Sequence, residues 1–205
     1  MENSQLSSYI KLPQPYWEEK TLFREVLMKR RSIRFFQSTE ISIQEVSNIL
    51  WSANGVSDTQ ETSEGKFYFK TAPSASNHQE IDIYVFDKNG VYFYNPELHI
   101  LQIVKTGDNR NILGKLPFFR KAPVSFCIVA NMNKMVRYNE DDFRINLYSA
   151  MDTGYVSQNI YLYCAVRKLA TVACGMINRS EIEEFLSLQN AKVMLVHPVG
   201  LKKYV

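Results

Sequence analysis

The stretch MKRRSIRFFQ, Met28 to Gln37, gathers Lys29, Arg30, Arg31 and Arg34 around one hydroxyl, Ser32, with two aromatics directly behind. Guanidinium forks bind phosphate through paired hydrogen bonds and keep their charge near neutral pH, which suits a phosphate-bearing cofactor. The same residues also fit a solvated helix end, where the dipole favours cations, or the start of a nucleic-acid arm. A second stretch, TAPSASNHQEIDIYVF, sets Pro73, Ser74, Ala75, Ser76 and Asn77 in a loop before a strand. Small side chains there would bring backbone amides and the Asn77 amide close to a flat polar ligand, although ordinary strand-leading turns use the same residue types. His78 follows directly and reads as an exposed loop histidine. The 8 glycines are dispersed, with neither a GxGxxG nor a P-loop. A dinucleotide held permanently on a Rossmann unit is therefore disfavoured.

The bulk numbers narrow these options. The chain has 205 residues, 45% of them hydrophobic, enough for one domain with a substantial core. Its 24 cations are nearly balanced by 21 acids, for a net charge of +3. Proteins that coat nucleic acid carry a stronger and more clustered excess, and no further cations follow Phe35 and Phe36, so the nucleic-acid arm is set aside. Cys127, Cys164 and Cys174 form no CxxC pair and lie among apolar residues, as buried thiols of a reducing compartment do. The three histidines are too scattered for a metal site. The opening segment has no long apolar core, and no run approaches the ~20 apolar residues of a spanning helix. A cytoplasmic protein with no membrane partner is expected.

The elements that must position the two stretches are partly readable. A helix is expected from about 18 to 30, after an extended arm over 1–17. SIQEVSNILWSANG carries a capping box, Ser42 with Glu45, then helical spacing of Ile43, Val46, Ile49, Leu50 and Ala53, with Gly55 as a stop. EIDIYVFDKNGVYFYNP reads as a hairpin turning at Asn89-Gly90, and APVSFCIVAN as a central strand buried on both faces. LYSAMDTGYVSQNIYLYCAVRKL is the longest helix, apolar almost all round, and so buried or at an interface. Within it, Gln158 and Asn159 need partners: a cofactor edge, a dimer contact, or a loop carbonyl. Ser180 and Glu183 form a second capping box on a short helix, and AKVMLVHPVG closes as a strand. Strands and helices do not alternate strictly, which points to α+β.

In this order, RRSIR, VSNILWSANG, APSASNHQEIDIYVF, GVYFY, KAPVSFCIVAN, DTGYVSQNIYLYCAV and VMLVHPVG resemble the FMN-dependent nitroreductase superfamily. The likeness is closest to its branch of SagB and thiazole/oxazoline oxidase-type dehydrogenases. The resemblance implies a three-layer α-β-α sandwich around a mixed or antiparallel sheet, over a single domain of residues 1–205. It also implies that Arg30 reaches the FMN phosphate, Arg31 and Ser32 line the ribityl and ring, and Arg34 sits near the pyrimidine edge. A cation there would stabilise a flavin gaining negative charge. Pro73, Ser74, Ala75, Ser76 and Asn77 match a loop that contacts flavin from the second subunit of a homodimer. ATVACGM matches the turn beside flavin N5, so amides near Cys174 and Gly175 would serve it. Either Lys202 or Lys203 would help hold the phosphate. One departure is the short polar region 132–147, where nitroreductases proper carry a helical pair over the flavin, so a more open pocket is expected.

The activity implied is NAD(P)H-driven reduction of a small nitroaromatic or quinone by hydride exchange through flavin N5. The nicotinamide would visit only transiently, so no Rossmann fingerprint is needed. An azoline-type dehydrogenase working in the oxidising direction, and a flavin-binding protein without turnover, are the alternatives.

Overall fold

The computed structural model describes residues 8–16, 20–63, 65–135 and 141–203. Among these residues the strands are β1 (Tyr9–Lys11), β2 (Val56–Thr62), β3 (Gly65–Lys70), β4 (Ile81–Asp87), β5 (Gly90–Asn95), β6 (Ile100–Thr106), β7 (Val124–Asn131), β8 (Leu169–Thr171) and β9 (Ala191–Leu201). The helices are α1 (Phe23–Lys29), α2 (Ile43–Asn54), α3 (Phe118–Lys121), α4 (Asp142–Val166) and α5 (Arg179–Phe185). Seven strands form one antiparallel sheet in the order β1-β6-β5-β4-β7-β9-β8, while β2 and β3 form a separate hairpin.

Strand β7 shows why the layers form. Its alternate residues Phe126, Ile128 and Ala130 face a core shared with Ile49, Leu50 and Ala53 of α2 and Val156 and Ile160 of α4. Cys127 and Val129 face the opposite core, with Leu113, Phe119, Ile182 and Leu186. A strand covered on both faces has no polar side to show, which explains its unbroken apolar run. The result is the α+β, three-layer sandwich.

The capping box of α2 is present, with the Ser42 hydroxyl accepting the Glu45 N–H at 3.2 Å. Glu45 then ties α2 to the end of α4, accepting from Arg167 Nε at 2.8 Å and from the Tyr163 hydroxyl at 3.1 Å. Gly55 ends the helix because its backbone turns against Trp51, where a Cβ would lie 2.5 Å from the indole.

Three expectations are corrected. The first helix begins at Phe23, not near 18, and residues 18 and 19 lie outside the described ones. Helix α5 is capped by Asn178, so Ser180 lies inside its first turn and makes no capping box. Asn178 Nδ2 instead donates to Glu181 at 2.8 Å, and the Glu183 carboxylate accepts the Val193 N–H at 2.8 Å. The N-terminal arm is not simply extended: residues 9–11 add β1 to the sheet edge, while 1–7 and 17 lie outside the described residues. In the short region 132–147, residues 136–140 also lie outside them.

Phe126 is fully buried on the strand that both cores share. Phe126→Ala is expected to cost about 3–5 kcal/mol through lost transfer energy and the cavity left behind. Urea unfolding followed by circular dichroism measures it, with an unchanged m-value.

Candidate active site

After α1 the chain leaves helical geometry at Arg30 and runs as an extra strand-like segment against the end of the sheet. Ile33 N–H donates to Thr171 O at 2.8 Å, Gln37 N–H to Leu201 O at 2.9 Å, and Lys203 N–H to Phe35 O at 3.1 Å. Phe36 bridges to Lys202, and Ile33 and Phe36 pack into a small core with Ala122, Ala170 and Val172. The apolar residues of RRSIRFF thus hold the segment down, leaving Arg31, Ser32 and Arg34 exposed and Arg30 half-buried.

Each cation has a particular setting. Arg31 donates to the Met28 and Arg30 carbonyls at 3.1 and 2.7 Å, closing the end of α1 as the helix-end reading anticipated. It also borders a groove of about 280 Å³ together with Lys29, Lys168 and Lys202. Lys203 faces away, beside Phe36, Gln37 and Lys121. Of Lys202 and Lys203, Lys202 lines the same groove as Arg31. Lys168, which sequence reasoning missed, sits just past α4 in left-handed backbone (φ 57°), where a cation also complements the helix dipole.

Tyr161 was also missed, and it joins the two halves of the cluster. Its hydroxyl lies 2.8 Å from Ser32 Oγ and accepts the Ala173 N–H at 2.8 Å, while the Arg30 guanidinium stands 5.3 Å from its ring centre. His197 packs edge-on against the same ring at 5.1 Å. That imidazole is wholly buried, with Ser157 Oγ 2.8 Å from Nε2 and Thr171 Oγ1 3.1 Å from Nδ1. Burial pushes its pKa down to about 3, so it is neutral at working pH.

Beside Tyr161, Cys174 pairs with Val196, donating its N–H at 2.8 Å and accepting at 3.0 Å. Its amide is thereby engaged. Of the two amides expected to face a ligand, only that of Gly175 remains, in an exposed position. Burial raises the Cys174 thiol pKa, opposed by nearby Arg34, so the thiol is no ready nucleophile.

The second loop lies elsewhere on the chain. Ala75 N–H donates to Asp152 Oδ2 at 2.8 Å, and Gln79 N–H to Ser74 Oγ at 3.0 Å. Ser76, Asn77 and Gln79 all adopt positive φ, near 50°, a costly cluster for residues with a Cβ. Asp152 and Tyr161 are nine residues apart on α4, about 13 Å along the axis. The cavity at the loop and the groove at the arginine segment have no lining residue in common.

His78 is buried rather than exposed, within electrostatic reach of Asp152. Asn159 finds its partners in the Ala53 and Thr71 carbonyls at 3.5 and 3.3 Å, the helix-to-loop option, while Gln158 is exposed. Glu80 is wholly buried under the loop. Burial, reinforced by the neighbouring Asp152 carboxylate, pushes its pKa up to about 7.

A family model described as the nitroreductase family matches residues 27–201. A candidate nitroreductase of Methanocaldococcus jannaschii is 35% identical over 195 residues, covering 90% of this chain and 93% of the relative. Among solved structures, a candidate nitroreductase of Ralstonia eutropha superposes with a TM-score of 0.84 at 30% identity, over 97% of this chain and 91% of that one. The NADPH:FMN oxidoreductase of Vibrio harveyi, solved with NAD+, shares the fold at a TM-score of 0.63 and 19% identity, over 88% of this chain and 69% of that one.

Because Glu80 holds its proton in the folded state up to about pH 7 but loses it near 4.5 when unfolded, the folded state binds more protons between those values. Stability should therefore fall as pH rises from about 5 to 7 and level off above. Glu80→Gln is expected to flatten that slope, read as thermal midpoints across a pH series.

Proposed function

The chain belongs to the nitroreductase family, and from that premise we propose that it is an FMN-dependent oxidoreductase driven by NAD(P)H, acting on small nitroaromatic or quinone substrates. The observation that carries this reading is the meeting of the Arg30–Arg34 segment, Lys168, Lys202 and the Gly175 amide at one end of the sheet. These groups fit a flavin mononucleotide chemically. Arg31, Lys168 and Lys202 supply a multiply charged groove for a dianionic phosphate. Arg34 adds positive charge beside the Cys174–Gly175 turn, where a ring gaining electrons would need it. Bound FMN supplies the two-electron chemistry, so no side-chain nucleophile or general base is required.

What the chain itself does is grip and orient. Tyr161 fixes Ser32 relative to Ala173, and so holds the arginine segment at a set distance from the Gly175 amide. The tie is rigid because the Tyr161 ring is wedged between Arg30 and His197. Nothing polar about the tie depends on pH near neutrality, since His197 stays neutral.

The site is completed by a second copy. Phe143, Leu147, Met151 and Tyr155 recur every fourth residue on α4 and are exposed, forming one apolar stripe. Leu22, Phe23 and Leu27 extend exposed apolar surface onto α1, where Val26 is the buried member. A homodimer covering these faces would let each chain lend its Pro73–Asn77 loop to the flavin site of the other. That arrangement accounts for the separation of the two motifs within one chain.

Purified protein should be yellow and should bleach on anaerobic addition of NAD(P)H. A bound flavin that NAD(P)H leaves oxidised would instead favour the oxidising direction or a storage role, and a protein that takes up no FMN would sink the reading. The double change Arg30→Ala, Arg31→Ala should lower FMN affinity at least about tenfold, some 1.4 kcal/mol, in fluorescence titration. Met151→Asp should convert a dimer to monomer in analytical ultracentrifugation and release flavin with it.

A further inference from the structure

A cavity of about 490 Å³ opens beside the Pro73–Asn77 loop. Its walls come from β3, the loop itself and the edge of the β4–β5 hairpin, with Tyr68, Phe67 and Phe93 giving flat apolar surface. Lys70 ends β3 at this cavity, partly buried. Among the described residues its ammonium makes no hydrogen bond or ion pair.

Asp82, Glu97 and Glu80 lie within electrostatic reach of it, but none forms an ion pair with it among the described residues. Asp82 is taken by Lys134 at 2.7 Å and by Asn131 Nδ2 at 3.2 Å. Glu97 lies exposed on the rim. Glu80 keeps its proton to about pH 7 and belongs with Asp152 beneath the loop. Burial, with Lys134 adding repulsion, outweighs the attraction of Asp82, Glu97 and Glu80 and lowers the Lys70 pKa to about 8, so it still carries charge at neutral pH. A partly buried ammonium with acids at a distance but no direct ion-pair partner gains from an anion that comes to it. The aromatic walls and the Asn77 side chain beside it suit a flat molecule carrying that anion.

We propose that this cavity is a subsite for the anionic oxyacid group of a flat ligand, with Lys70 as its counter-charge. The inference deepens the proposed function, since the same loop would face the flavin of a partner chain and so set which substrates or nucleotides approach it. The anion has two possible sources: a carboxylate on the oxidised substrate, or the extra phosphate that distinguishes NADPH from NADH.

Equilibrium calorimetry on the FMN-loaded protein tests both. Four ligands are compared, 4-nitrobenzoate against 4-nitrobenzyl alcohol, and the unreactive oxidised nucleotides NADP+ against NAD+, with wild type, Lys70→Met and Lys70→Gln, each first shown to keep its thermal midpoint. In the substrate arm, 4-nitrobenzoate should bind at least about tenfold more weakly to both variants while the alcohol changes less than about twofold. In the nucleotide arm, NADP+ should weaken and NAD+ should not. Either pattern supports the subsite and identifies its source. If neither charged ligand weakens, or charged and uncharged ligands weaken alike, the proposal is overturned. Flavin content, read from the same samples, is a separate result: a protein without FMN refutes the cofactor reading while the 4-nitrobenzoate comparison still decides the subsite.

Discussion

The second edge of β9 is the constraint on which the candidate site rests. On one side the strand pairs with β7 from Ala191 to Val199 and is locked into the centre of the sheet. Along its other side it meets, in turn, Cys174, then β8, and at its end Phe36 and Lys202 pair across the continuing chain. Two stretches far apart in sequence, the segment around Phe36 and the run from β8 to Cys174, are thereby set by backbone hydrogen bonds against one strand. Such bonds fix spacing to fractions of an ångström, and a strand buried on both faces cannot slip by one residue without reversing every side chain. The arginine segment, the Gly175 turn and Lys202 inherit that precision.

Side chains then bind the layers to this edge. His197 projects from β9 into the core and is met from α4 by Ser157 and from β8 by Thr171. Its ring supports Tyr161, one turn further along α4. Both imidazole nitrogens have partners, so a polar residue is kept in the core without an unsatisfied atom, and it specifies which helix turn lies over which strand residue. The site is therefore positioned twice, by the sheet from below and by α4 from the side.

Much of this was legible in the residues. Strand β7, the β4–β5 hairpin, the capped helix α2 and the long α4 all carry periodicity that burial imposes directly. The β2–β3 hairpin carries no such mark because it has no buried face: its residues are exposed or half-buried, so no alternation singles it out. The cation cluster and the small-residue loop were visible because composition alone singles them out. Tyr161 and Lys168 were not. One tyrosine among 12 has no local mark, and its role comes from partners 129 and 12 residues away. The same distance problem hid His78, whose burial depends on α4 packing over the loop, and the engaged amide of Cys174, which only the β9 register reveals.

Helix α4 touches both motifs, holding the loop at Asp152 and the arginine segment through Tyr161. In the proposed pair, each helix would belong to two reaction centres, one through each end. A chain defective only in its arginine segment and another defective only in its loop would then fail as matched pairs. Mixed together they would rebuild one intact centre per hybrid, so two recessive lesions in one gene could rescue each other.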